Sequence, residues 1–241
     1  NLKCSYDAYA STRPWTKTLH IIVSGGHLSP RDTVTIRFGD RRGGSPGWRL
    51  QTFCEEKFEF RTTIDAFSTH EWAELPDSPT IEIIPGPAHS WKAVLPTMRS
   101  LGETFRLGIK AEDVMGNPTD QTDQTLILAS SAPIAGLPDT ATMCLGDKTT
   151  VIDGLSATRP GNITIQIHDL DGNILADSNP LRIEQEASMV AYWGDLHAQS
   201  NETVGTNTAR QYFEFGRDCA FLDGCIHRER RNHGRIQNTG A

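Results

Sequence analysis

Up to about residue 190 the chain is written in short runs whose apolar residues alternate with polar ones, and this period of two constrains the fold more than any other feature. Thr33-Val-Thr-Ile-Arg-Phe38, Thr80-Ile-Glu-Ile-Ile84, Phe105-Arg-Leu-Gly-Ile109 and Asn162-Ile-Thr-Ile-Gln-Ile167 each place apolar side chains on one face of an extended segment. Turn residues punctuate them at Gly116-Asn-Pro118, Leu137-Pro-Asp139, Arg159-Pro-Gly161 and Asp169-Leu-Asp-Gly-Asn173. Strands of that length at about ten-residue spacing predict antiparallel sheets stacked as sandwiches. Pro85-Gly-Pro87 predicts a junction between an N-terminal β-rich module, residues 1–84, and an immunoglobulin-like sandwich, residues 85–186. Within the second, Asp113-Val-Met-Gly-Asn117 and Asp169-Leu-Asp-Gly-Asn173 echo one another as two similar strand–turn units.

After residue 188 the pattern changes. Met189-Val-Ala-Tyr-Trp193 reads as a short buried strand and Gly194-Asp-Leu-His-Ala-Gln-Ser200 as a polar loop. Thr206-Asn-Thr208 supplies capping groups for a helix over Ala209–Asp218, and Ala220-Phe-Leu-Asp-Gly-Cys-Ile226 returns to strand. That order predicts a β–α–β unit with its strands parallel. Residues 228–241 hold four arginines, continue neither period and read as an atypical tail, either genuine or out of frame with what precedes it.

Composition narrows the function classes. A net charge of −7 argues against nucleic acid or an anionic membrane as a partner, and no apolar run approaches the ~20 residues of a spanning helix. Five widely spaced cysteines make no disulfide framework, and no signal peptide is visible; together they predict a reducing, cytoplasmic location.

In a parallel β–α–β unit the residues just past the strand ends cluster at one rim. His197 and His227 are then expected at the same rim, within reach of a shared Zn, Mn or Fe ion, with Asp195, Glu202 and Asp223 as further ligands or as groups that orient a ring. The alternative reading is two unrelated histidines, each bonded to a backbone group. Other signals resolve more plainly. Gly39-Asp-Arg-Arg-Gly-Gly-Ser-Pro-Gly-Trp-Arg49 reads as a solvated hairpin loop rather than an anion cradle. Asp169–Asn173 lacks a bidentate Glu at the twelfth position, where Pro180 stands, and reads as a turn rather than a calcium loop. Cys219 and Cys225 read as small buried hydrophobes, and His20, His27, His70 and His89 as surface or structural residues. Trp15, Trp48, Trp72 and Trp91 read as anchors of cores or edges.

Tyr192-Trp-Gly-Asp-Leu-His-Ala-Gln-Ser200, followed by Glu202-Thr-Val-Gly-Thr-Asn207, resembles the opening of the PHP (polymerase and histidinol phosphatase) superfamily, in a branch of unknown function with a Gly-Asp-Leu-His segment after a β-rich region. Trp91-Lys-Ala-Val-Leu-Pro96, Leu101-Gly-Glu-Thr-Phe105, Ala111-Glu-Asp-Val-Met-Gly-Asn-Pro118 and Ser178-Asn-Pro-Leu-Arg182 extend the likeness over most of residues 39–227. The resemblance implies a distorted β/α barrel in which up to three metal ions activate water against a phosphoester. It implies His197 as the first member of a His-x-His pair whose second position is Gln199, and His227 as the His of a Thr-Asp-His motif whose Asp position is Ile226. Such a barrel needs about 200 residues or more, so residues 187–227 are read as the start of a truncated one.

The fold expected is therefore mostly β: two sandwich modules followed by the first β–α–β unit of an incomplete PHP-type barrel. The function expected is that of the N-terminal fragment of a metal-dependent, phosphoesterase-like hydrolase acting on an unidentified small molecule. The fragment alone is expected to be inactive and to hold no tightly bound metal. The alternative is a non-catalytic sandwich protein that binds or scaffolds, carrying an inert barrel remnant.

Overall fold

The computed structural model describes residues 1–11, 15–203, 205 and 207–227, and of His227 it describes the backbone. The tail after His227 lies outside the described residues. The protein is mostly β, with one helix among the described residues, and divides into two compact units, Asn1–Ile83 and Ile84–Ala241.

The first unit is built from short antiparallel pairs. β1 (Leu2–Asp7) and β2 (Thr18–Val23) form one hairpin in which Leu2 lies opposite Val23. β3 (Glu55–Glu59), β4 (Thr63–Ile64), β5 (Ala73–Glu74) and β6 (Thr80–Ile83) make two further pairs, β3 with β6 and β4 with β5. Thr33–Phe38, whose alternation predicts a strand, is not in one. Its last residue joins an aromatic cluster instead: the Phe38 ring lies 4.9 Å from Phe60 and 5.0 Å from Trp48, and the Phe58 ring 5.3 Å from Phe60. Ring packing of this kind fixes side chains without a backbone ladder, which is why the period was a poor guide to this segment.

The second unit carries the main core. Its strands are β7 (Ser90–Val94), β8 (Met98–Ser100), β9 (Thr104–Glu112), β10 (Gln124–Ser130), β11 (Ile134–Ala135), β12 (Thr140–Met143), β13 (Thr149–Ala157), β14 (Gly161–Ile163), β15 (Ile165–His168), β16 (Ile174–Asp177) and β17 (Leu181–Glu184). One four-stranded sheet has the order β12-β10-β15-β16, another β11-β13-β9-β7, and β14-β17-β8 form a third. Both four-stranded sheets feed one hydrophobic cluster, in which Leu107 and Ile109 of β9, Leu155 of β13, Leu126 of β10, Met143 of β12 and Ile165 and Ile167 of β15 are fully buried. Burial of each such side chain contributes about 1.5 to 3 kcal/mol.

Alternation in β9 has a second consequence. Phe105, Leu107, Ile109 and Ala111 are buried in the core, while Arg106, Gly108, Lys110 and Glu112 line the other face of the same strand. The run Asn162–Ile167, read as one strand, is two: β14 pairs with β17 and β15 with β10. Between them the Thr164 amide leaves the ladder to donate to Ser131 Oγ, at 2.9 Å, where the chain changes sheets.

The two echoing segments fold identically. In Asp113–Asn117 and in Asp169–Asn173 the Asp amide donates to the Asn carbonyl, at 2.9 and 3.0 Å, and the Gly amide to the Asp carbonyl, at 3.0 and 3.1 Å. In each the Asp carboxylate accepts the Asn backbone amide on Oδ1 and the Asn side-chain amide on Oδ2. Gly116 and Gly172 take φ of 86° and 85°, a conformation that L side chains rarely adopt, so glycine is required at the fourth position of both turns. Asp113 itself is buried and reaches further, its Oδ2 accepting the Gly86 amide at 3.0 Å.

Residues 194–227 complete the unit with β18 (Gly194–Ala198), α1 (Ala209–Asp218) and β19 (Gly224–His227), the two strands parallel. The helix spans the residues that its pattern predicts. Thr208 caps it by a reciprocal exchange in which Thr208 Oγ1 accepts the Gln211 amide and Gln211 Oε1 accepts the Thr208 amide. The strands begin later than expected. Met189–Trp193 is not a strand, and Gly194–Ala198, read as a loop, is one. The reason is a close approach of backbones, since a Cβ on Gly194 would stand 2.9 Å from the Gly224 carbonyl oxygen.

Candidate functional site

β18 and β19 run parallel in the register Gly194↔Gly224, Asp195↔Cys225 and Ala198↔His227, with one extra residue in β18 between the last two pairs. That bulge places Leu196 and His197 on the exposed surface while Asp195 is half-buried and Ala198 buried. Beyond it the alternation resumes: His197 and Gln199 are exposed, Ala198 and Ser200 buried. The ladder brings the backbones of His197 and His227 to the same, C-terminal, end of the pair.

The carboxylates expected around them are dispersed. Asp195 Oδ1 accepts the backbone amide of His197 at 2.8 Å. The same carboxylate and the Cys225 thiol stand beside the hydroxyl of Tyr212 on α1; burial first, then Cys225 and Asp195, push the Tyr212 pKa above the ordinary phenol range. Glu202 is exposed on a loop folded around the buried Ser200, whose Oγ accepts the Glu202 amide and whose carbonyl accepts the amides of Thr203 and Gly205. Asp223 lies at the opposite, N-terminal, end of the strand pair, where its Oδ2 accepts the Trp193 amide at 2.9 Å. Among the described residues no three His, Cys, Asp or Glu side chains converge. The donors at this end are of a type that divalent metals use, but they are fewer than the three or four protein ligands of a closed site.

Two glycines to which the sequence pattern assigns no role let the unit close up: Gly216 and Gly108. A Cβ on Gly216, buried in the last turn of α1, would lie 2.5 Å from Cys225 Sγ, so the missing side chain lets the helix settle onto β19. A Cβ on Gly108 would lie 2.6 Å from the ring of Phe221. The available signal was a glycine inside an otherwise alternating strand or helical pattern, which marks a close approach. Phe221, buried and held at φ 56°, bends the segment read as a single strand from Ala220 and delays β19 to Gly224. None of the five cysteines is in a disulfide, and no helix of the described residues is long and apolar enough to cross a membrane.

No family model matches the chain, and no curated protein does. Among solved structures, domains 4–9 of the surface layer protein SbsC align with 56% of this chain at 11% identity and a TM-score of 0.31, and the chain spans 21% of that one.

Proposed function

We propose that residues 85–186 form an immunoglobulin-like sandwich and residues 187–227 the opening β–α–β unit of a PHP-type barrel, in the N-terminal portion of a metal-dependent hydrolase of the phosphoesterase kind. The observation that carries this reading is the parallel β18–β19 pair joined through α1, with His197 and His227 at one end. Among the described residues the sheet has these two parallel strands, an unusual arrangement because parallel strands are ordinarily buried on both faces within larger sheets. Leu196, Phe213, Phe215 and Ile226 are exposed around this pair, as the opening unit of a larger β/α layer would leave them. In this reading His197 and His227 are metal ligands, Gln199 a weaker neutral one, and further strands supply the rest.

The test is made on the longest product of the gene, purified and analysed for metal. The expected result is near-stoichiometric Zn, Mn or Fe, with His197→Ala losing about one equivalent and hydrolysis of p-nitrophenyl phosphate falling at least about 100-fold. A metal-free product that hydrolyses no phosphoester would overturn the reading.

A second reading, a non-catalytic binding or scaffolding protein, is favoured by the aromatic cluster of the first unit. Trp48 and Phe38 are 42% and 47% exposed there, a surface suited to stacking against a sugar ring. Glycan-array binding that disappears in Trp48→Ala would favour it.

A further inference from the structure

We infer that the outer face of β9 is a docking platform that braces the N-terminal end of the β–α–β unit, so that residues 188–227 owe their order to the sheets before them rather than to a core of their own. The sequence sets up the platform. Alternation sends Arg106, Gly108 and Lys110 away from the hydrophobic cluster, and the glycine among them leaves a gap of one side chain. Phe221 fills that gap with its ring against the bare backbone of Gly108 and is 8% exposed. Around the plug, Arg106 donates to the Leu222 carbonyl at 3.3 Å. Trp193 donates through Nε1 to Thr97 Oγ1 at 2.6 Å, and Arg99 lies 3.9 Å from the Asp223 carboxylate. Arg99 also sits over the Tyr192 ring, 5.7 Å from its centre.

These contacts share a topological position. Trp193 immediately precedes β18, and Phe221, Leu222 and Asp223 immediately precede β19, so all of them sit at the N-terminal end of the parallel pair. In β/α folds that end serves stability, and the opposite end carries chemistry. The brace therefore grips the end away from His197 and the His227 backbone. Among the described residues the β–α–β unit itself buries two apolar side chains, Phe221 and Ala198, too little to order a two-stranded parallel pair alone. This inference stands on packing and holds whether or not the hydrolase reading does.

Hydrogen exchange on the full chain tests it, comparing the wild type with Phe221→Ala and, separately, Gly108→Ala. Phe221→Ala leaves every strand of the sheets intact, and Gly108→Ala pushes the ring out while leaving the ring itself present. In both variants amides of β18, α1 and β19 are expected to exchange at least about tenfold faster, while amides of β10, β13 and β15 keep their protection. Unchanged protection of β18, α1 and β19 in Phe221→Ala overturns the inference. So does a loss of protection spread equally over β10, β13 and β15, because the unit would then not be a dependent rider on stable sheets.

Discussion

Asp113→Ala is expected to lower the stability of the second unit by about 3 kcal/mol, more than a typical surface substitution by a wide margin. The carboxylate is buried and accepts five hydrogen bonds, from the backbone amides of Gly86, Met115 and Asn117 and twice from the Asn117 side chain. Alanine leaves these donors without their acceptor and unties Gly86 from the end of β9. Burial by itself would raise the Asp113 pKa; the Asn117 side chain and the three backbone amides more than offset it, lowering the value from 3.8 to about 2. Because the folded value lies below the unfolded one, the stabilisation is fully present above about pH 4. It is lost as the pH falls from there through about 2, on the order of 2 kcal/mol in all. Asp113→Asn is expected to abolish that part of the acid dependence. Asp169→Ala is the internal control: it makes the same turn half-buried and without a counterpart of the Gly86 bond, so urea denaturation should show a much smaller loss. Equal losses at the two positions would contradict the role assigned to burial and to the Gly86 bond.

The second large effect is a change of sign. Gly216→Ala in an open helix would stabilise it by about 1 kcal/mol, since alanine is the better helix former. Here the new Cβ would meet Cys225 Sγ at 2.5 Å, and overpacking costs about 1 to 3 kcal/mol. The single variant is therefore expected to destabilise α1 and β19. In a Cys225→Ala background, with the sulfur gone, Gly216→Ala should become neutral or stabilising. A coupling on the order of 2 kcal/mol, read from exchange of the α1 amides, is the expected outcome. Additive effects would mean that α1 and β19 are not packed through this contact.

Where the determining interaction is local, the sequence was legible. The helix over Ala209–Asp218 follows from the Thr208-x-x-Gln211 exchange, which closes within four residues. The two Asp-x-x-Gly-Asn turns follow from bonds that span four. β9 is legible because its alternation is unbroken and its inner face is wholly buried. Thr33–Phe38 was misleading because an alternating run states which side chains share a face, not whether a partner strand is present. The division of Asn162–Ile167 at Thr164 depends on Ser131, 33 residues away. The start of β18 at Gly194 depends on Gly224, and the gap at Gly108 has meaning only once Phe221 arrives from far along the chain. At the candidate site the pattern predicts both histidines just past strand ends, on one rim; the structure places them inside β18 and at the last position of β19, at one end of the pair. The bulge that separates Asp195 from the exposed His197, and the removal of Asp223 to the other end of the pair, could not be read from sequence. Both follow from pairing register, which composition and spacing do not encode.

The β–α–β unit is seated against the outer face of β9, and one proton reports that seating directly. A ring stacked on a glycine shifts the glycine Hα resonances strongly upfield, and Phe221 is the ring placed over Gly108. In the wild-type chain a Gly108 Hα is expected well upfield of its random-coil position, with cross-peaks to the Phe221 ring protons. In Phe221→Leu it should return toward the random-coil position while the resonances of Leu107 and Ile109 stay in place. A Gly108 resonance at its random-coil position in the wild type, with no contact to Phe221, would contradict the account.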